Sequence, residues 1–139
     1  MYKLFFLFTA FVVCGCQPTT LEDFQCEGSS VMRFLLQDLR KIEDREDLSR
    51  MEPILKKDFE KLVELIIQAR VFQQRNPEVE SPFQNINATL NLSLIEELKR
   101  IYDIEGGREC VERSQREAML RLDAKEKMIE RQQSIIRLK

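Results

Sequence analysis

Histidine and tryptophan are both absent from the 139 residues of this chain, and glycine and proline occur only four times each. Histidine is the side chain that titrates near neutral pH and the commonest metal ligand. Its absence excludes Ser–His–Asp and Cys–His catalysis and most zinc sites. The scarcity of glycine and proline argues against long irregular segments.

The chain also lacks a strong excess of either charge, with 22 basic and 24 acidic residues and a formal net charge of −2. Nucleic-acid binders normally carry a basic face that displaces counterions from phosphates. We therefore predict no nucleic-acid partner. The charged and hydrophobic fractions, 33% and 43%, are typical of a soluble helical protein, and the length fits one small domain.

The N-terminal segment has the order of a signal peptide. Lys3 precedes a stretch over residues 4–13 in which Thr9 is the only polar residue. A bilayer-spanning helix needs roughly 20 apolar residues, so this stretch is too short to be one. It fits the apolar region of a signal peptide, which the polar residues 17–20 then end.

The stretch ends in Val13-Cys14-Gly15-Cys16, which resembles the lipobox of bacterial lipoproteins. The resemblance implies cleavage of residues 1–15, a diacylglyceryl group on the Cys16 thiol, and a membrane anchor made by that lipid. Cys14 departs from the small residues usual at its position. An ordinary secretory signal peptide and a short buried helix of a cytosolic protein are the alternatives.

The residue after the lipidated cysteine bears on the destination. In lipoproteins of Gram-negative cells an Asp there often signals retention in the inner membrane. Gln17 lacks that signal. The resemblance therefore implies an extracytoplasmic protein, anchored in the outer membrane and facing the periplasm.

Cys26 and Cys110 are the cysteines left after this processing. An even pair in an exported chain predicts a disulfide. It would close a loop of about 85 residues, worth roughly 4–5 kcal/mol in the chain-entropy model. Two buried free thiols are the alternative. With two cysteines and no histidine, neither a metal site nor a cofactor is predicted.

Hydrophobic periodicity predicts an all-α fold, a small bundle of about four helices. We assign residues 16–28 to a lipidated tether and residues 29–139 to the helical domain. Ser29 or Ser30 is expected to cap the first helix, and Pro53 to stand in the first turn of the second. The predicted helices cover residues 31–42, 52–74, 93–104 and 109 to near the end.

The predicted fourth helix is long and polar. Leu122, Ile129 and Ile136 recur at intervals of seven and predict a short, partly coiled-coil-like face. The face would serve self-association or docking to another envelope protein. A solvated surface helix explains the same pattern equally well.

No catalytic constellation is visible, and the acidic residues within 43–47 lack the spacing and central glycine of a calcium-binding EF-hand loop. We therefore predict a membrane-anchored, non-enzymatic structural or protein-interaction module of the cell envelope. One alternative is a carrier of a small apolar ligand, suggested by Phe34, Phe59 and Phe72, which a filled core also explains. Another is a pilot-type accessory lipoprotein of a secretion system, an analogy of size and anchor alone.

Overall fold

The computed structural model describes residues 18–81 and 88–137, and these ranges contain four α-helices and no strand. The predicted all-α bundle with a long C-terminal helix is confirmed. The helices are α1 (Leu21–Arg40), α2 (Arg45–Arg75), α3 (Ala88–Tyr102) and α4 (Gly107–Arg137).

Helix α1 begins ten residues before the predicted start at Val31. Thr20 and Asp23 form a capping box, in which the Asp23 amide donates to Thr20 Oγ1 (3.1 Å) and the Thr20 amide donates to Asp23 Oδ2 (3.0 Å). Phe24 is buried in the first turn, at 2% exposure. Residues 21–28, which the sequence analysis assigns to the tether, are part of α1 in the structure.

Helix α2 also begins earlier than predicted, and the acidic turn before it has a structural use. Asp44 Oδ1 accepts hydrogen bonds from the amides of Glu46 (2.8 Å) and Asp47 (3.0 Å) and so caps the helix. Leu48 is buried in the first turn. Pro53 consequently lies inside α2 and not in its first turn.

Helix α2 is the central element, between α1 and α4. It runs antiparallel to α1, since the rings of Phe24 and Phe72 lie 5.3 Å apart. It runs parallel to α4, since Arg113 pairs with Glu52 and, further along both helices, Glu126 pairs with Arg70. The start of α1, the end of α2 and the end of α4 therefore lie at one end of the bundle, which we call the Phe72 end.

The opposite end, which we call the turn end, holds the α1–α2 and α3–α4 turns. Arg100 on α3 donates hydrogen bonds to the carbonyl oxygens of Ile42 (2.7 Å) and Leu39 (3.0 Å). These bonds attach α3 to the C-terminus of α1, where helix carbonyls have no partner in their own helix.

Two glycines make the α3–α4 turn. Gly106 has φ +81°, a left-handed conformation that glycine adopts without steric cost. A Cβ on Gly107 would overlap the backbone carbonyl of Ile101. Helix α3 ends at Tyr102, before this turn, and α4 begins at Gly107.

The buried side chains form two clusters. The main cluster fills the turn end and the middle of the bundle, and it includes Leu35, Leu39, Leu55, Ile101 and Val111. A smaller cluster lies at the Phe72 end. It consists of Phe24, Leu65 and Ala69, with Val31 and Phe72 packed against it.

Candidate functional site

The predicted lipidation site, Cys16, lies outside the described residues, which begin at Pro18. Pro18 and Thr19 are at the Phe72 end, beside Phe24 and Phe72. In the described ranges, no helix combines the length and apolar character that a bilayer crossing requires.

The predicted disulfide between Cys26 and Cys110 is wrong, since both are free thiols. Cys26 is exposed on α1, whereas Cys110 is buried at the start of α4 in the main cluster. The backbones of α1 and α4 do not approach each other. An even number of cysteines favours a pair, but Cys26 lies on α1 and not in a tether ahead of the first helix.

Cys110 is a poor nucleophile in this setting. Its thiol lies 3.6 Å from the carbonyl oxygen of Leu48, and burial is the main cause that raises the pKa of the thiol. A pocket of about 320 Å³ beside it is lined largely by charged residues, among them Glu52 and Arg113, which pair with each other. No metal-binding group of three or more Cys, Asp or Glu side chains occurs in the part of the chain that the structure describes.

The predicted interaction face on α4 is divided by the fold. Leu122 packs against the main cluster, so it is occupied within the molecule. Ile129 is half-buried, and the side chain of Ile136 lies outside the described part. The exposed large apolar side chains described on α4 are instead Met119 (44%), Leu120 (63%), Met128 (51%) and Ile135 (60%). Of these, Met128 and Ile135 lie seven residues apart on the distal half of the helix.

The end of α4 continues beyond its partner helix. Helix α2 ends five residues after Arg70, whereas α4 continues eleven residues after Glu126 to Arg137. Because both helices rise equally per residue and run parallel, the last turns of α4 extend past α2. Ile135 belongs to this extension.

A groove of about 650 Å³ opens at the Phe72 end between α1, α2 and α4. Its apolar wall is formed by Phe24, Ile67, Val71 and Phe72. Its polar residues include Glu64, Gln68, Arg75 and Lys125. The sequence pattern does not predict this groove, because its lining combines residues from three helices.

The three phenylalanines that suggested a ligand carrier do not converge on one cavity. Phe59 is buried in the main cluster, and Phe72 packs against the smaller cluster. Phe34 is 60% exposed on α1. Of the three, Phe72 alone lines the groove.

A pair of carboxylates on facing helices was not predicted. Asp58 on α2 is 6% exposed, and its Oδ2 has no hydrogen-bond partner in the described residues. The pKa of Asp58 is raised to about 6, mainly because burial disfavours its charged form. A hydrogen bond with Asp38 on α1 and the charge of Asp38 raise it further, whereas the charges of Lys61 and Lys41 lower it. Asp38 is held by Lys41 at 2.5 Å.

Comparison of the chain with protein-family models, curated proteins and solved structures finds no match.

Proposed function

We propose that this protein is a lipid-anchored, non-enzymatic interaction module of the bacterial cell envelope, whose partner surface is the distal end of α4. The anchor is the lipid on Cys16, after removal of residues 1–15. The destination suggested by Gln17 is the outer membrane, with the helical domain in the periplasm. The observation that carries the partner surface is the exposure of Met128 and Ile135 on one face of α4.

The directions of the helices support a position of the partner surface close to the membrane. The described chain starts at Pro18, two residues after Cys16, and Pro18 lies at the Phe72 end. The extension of α4 lies at the same end because α2 and α4 run parallel. The partner surface is therefore near the membrane, and the partner is a helix held close to the same membrane, from a second copy or another envelope protein.

The test of the partner surface is a double substitution on α4. Met128→Glu with Ile135→Glu should abolish self-association or recovery of the partner from membranes, because two carboxylates cannot be buried in an apolar helix interface. The matched control is Arg116→Gln with Lys127→Gln, which changes the net charge equally. Lys127 lies about 100° around the helix from Met128. Equal association of both variants would overturn the assignment of the surface.

Two measurements distinguish self-association from binding to a different protein. Analytical ultracentrifugation of the purified protein reports a second copy, and crosslinking in intact cells reports a different protein. The anchor is tested independently by metabolic labelling with a fatty-acid analogue, which should be incorporated by the wild type and not by Cys16→Ser. Label retained by Cys16→Ser would contradict the anchor.

A further inference from the structure

The groove at the Phe72 end combines an apolar wall with two basic side chains. The rings of Phe24 and Phe72 meet at 5.3 Å and, with Ile67 and Val71, make the wall. Such a surface favours hydrocarbon, because each CH₂ removed from water contributes favourably to binding.

The charges at the groove favour an anion. Arg75 and Lys125 line it, and neither forms an ion pair with any residue in the described ranges. The acidic residue of the lining, Glu64, already pairs with Arg121 at 3.4 Å and accepts a hydrogen bond from Gln68 at 3.3 Å. The unpaired charge at the groove is therefore positive, which complements a phosphate or carboxylate.

The groove also lies next to the proposed anchor. Thr19 lines it and is three residues from Cys16, so an extended chain places the two within about 11 Å. A protein tethered at that distance meets the lipids of its own bilayer at high effective concentration. A bilayer phospholipid therefore has an advantage over a free fatty acid, which must arrive from solution.

We propose that the groove holds one acyl chain of an anionic phospholipid, whose headgroup phosphate lies by Arg75 and Lys125. Binding of this lipid holds the Phe72 end against the membrane and so fixes the orientation of α4 relative to the bilayer. This lipid site is additional to the proposed partner surface on α4. It rests on the proposed anchor only because the anchor brings the groove to the bilayer that supplies the lipid.

The test uses the full chain expressed in bacteria and purified from membranes in mild detergent. Mixed micelles offer phosphatidylglycerol and phosphatidylcholine at equal concentration, and native mass spectrometry counts the phospholipid that remains bound. The wild type should retain one phospholipid, mostly phosphatidylglycerol. Arg75→Gln with Lys125→Gln should reduce the preference for phosphatidylglycerol by about tenfold, since each basic side chain adds a few-fold to binding of an anionic lipid.

The matched control is Arg33→Gln with Lys57→Gln, which removes two exposed charges outside the groove and should leave the preference unchanged. Val71→Asp should abolish retention of both lipids by placing a charge in the apolar wall. Circular dichroism verifies its fold, and Val71→Ser, expected to reduce retention, serves if Val71→Asp unfolds.

Three results would overturn the proposal: no phospholipid retained by the wild type, no preference for the anionic lipid, or an equal loss in the control. The anchor is scored separately in the same samples, because a lipid on Cys16 is covalent and survives denaturing mass spectrometry. Protein without the covalent lipid that still retains phosphatidylglycerol refutes the anchor alone. Protein with the covalent lipid and an empty groove refutes the groove alone.

Discussion

Arg113 on α4 donates two hydrogen bonds to the carboxylate of Glu52 on α2, from Nε to Oε1 (2.9 Å) and from Nη2 to Oε2 (2.8 Å). This two-point contact is the geometry that arginine and carboxylate groups prefer. The bond lowers the pKa of Glu52 and raises that of Arg113. It begins a row of ion pairs that continues along both helices. The others are Lys56–Glu117, Glu64–Arg121 and Arg70–Glu126.

Along α2 the charges of this row are alternately negative and positive, and along α4 they are alternately positive and negative. The row therefore specifies the register of the two parallel helices. A shift of α4 by one turn would place Glu117 beside Glu52, and like charges would meet. Exposed ion pairs contribute little to stability one by one. Their alternation matters more, because it selects one alignment among several with similar apolar contacts.

We predict that Arg113→Glu lowers the melting temperature, because it puts two carboxylates together at the position of the two-point contact. The double variant Glu52→Arg, Arg113→Glu should recover most of the loss, since it restores the pair with the signs exchanged. Thermal unfolding followed by circular dichroism measures both. The control is Arg116→Glu, an exposed change on the same helix, and a loss as large in this control would count against the specific pair.

A second prediction concerns pH. The pKa of Asp58, about 6 when folded against an ordinary 3.8, means that the folded protein binds this proton more tightly than the unfolded chain. The contribution of the protonated carboxyl is therefore present at low pH and is lost as the pH rises from about 4 through 6. Asp58→Asn should remove this slope and stabilise the protein at pH 7.5 by about 2–3 kcal/mol.

Urea unfolding at several pH values between 4 and 7.5 measures this effect against the wild type. Asp123→Asn, an exposed change on α4, is the control and should retain the slope. Identical slopes for Asp58→Asn and the wild type would show that Asp58 does not have the raised pKa.

The third prediction separates the two glycines of the α3–α4 turn. Gly106→Ala should cost about 1 kcal/mol, because a side chain at φ +81° is strained although the space around it is open. Gly107→Ala should cost about 3 kcal/mol or more, because its Cβ meets the backbone of Ile101, which cannot rotate away. Denaturant unfolding gives both values, and equal costs would contradict the assigned geometry.

The fourth prediction follows from the free thiols. A thiol reagent should modify Cys26 quickly in the native protein, and Cys110 only under denaturing conditions, since one is exposed and the other buried. A reducing agent should leave the melting temperature unchanged. Peptide mapping after labelling identifies the sites. Rapid native labelling of Cys110, or a crosslinked Cys26–Cys110 peptide, would reverse the conclusion.

The sequence predicted the helices well and their beginnings less well, for identifiable reasons. Apolar periodicity marks the middle of α2 and α4, where burial dictates the pattern. The observed starts depend on the caps Thr20 and Asp44, which lie ahead of the helices that periodicity predicts. Thr20 and Asp23 have the three-residue spacing of a capping box, which is the sequence signal for the start of α1.

The candidate sites were less accessible to prediction, because they depend on which helices meet. Asp58 is unremarkable along α2 until Asp38 faces it. The groove needs Phe24 and Lys125 at the same end, and this follows from the parallel direction of α2 and α4. Neither periodicity nor composition contains that information.

The parallel direction of α2 and α4 also has a kinetic consequence. Helices α1 and α2 are joined by a short turn and can associate as soon as both are synthesised. The contact between Glu52 and Arg113 can form only after a further 61 residues have been synthesised. Contacts between distant residues form slowly, since the intervening chain must first be ordered. The α1–α2 hairpin should therefore form first and expose the apolar side of α2 until α4 docks, a stage at which the chain is open to aggregation or to capture by a chaperone.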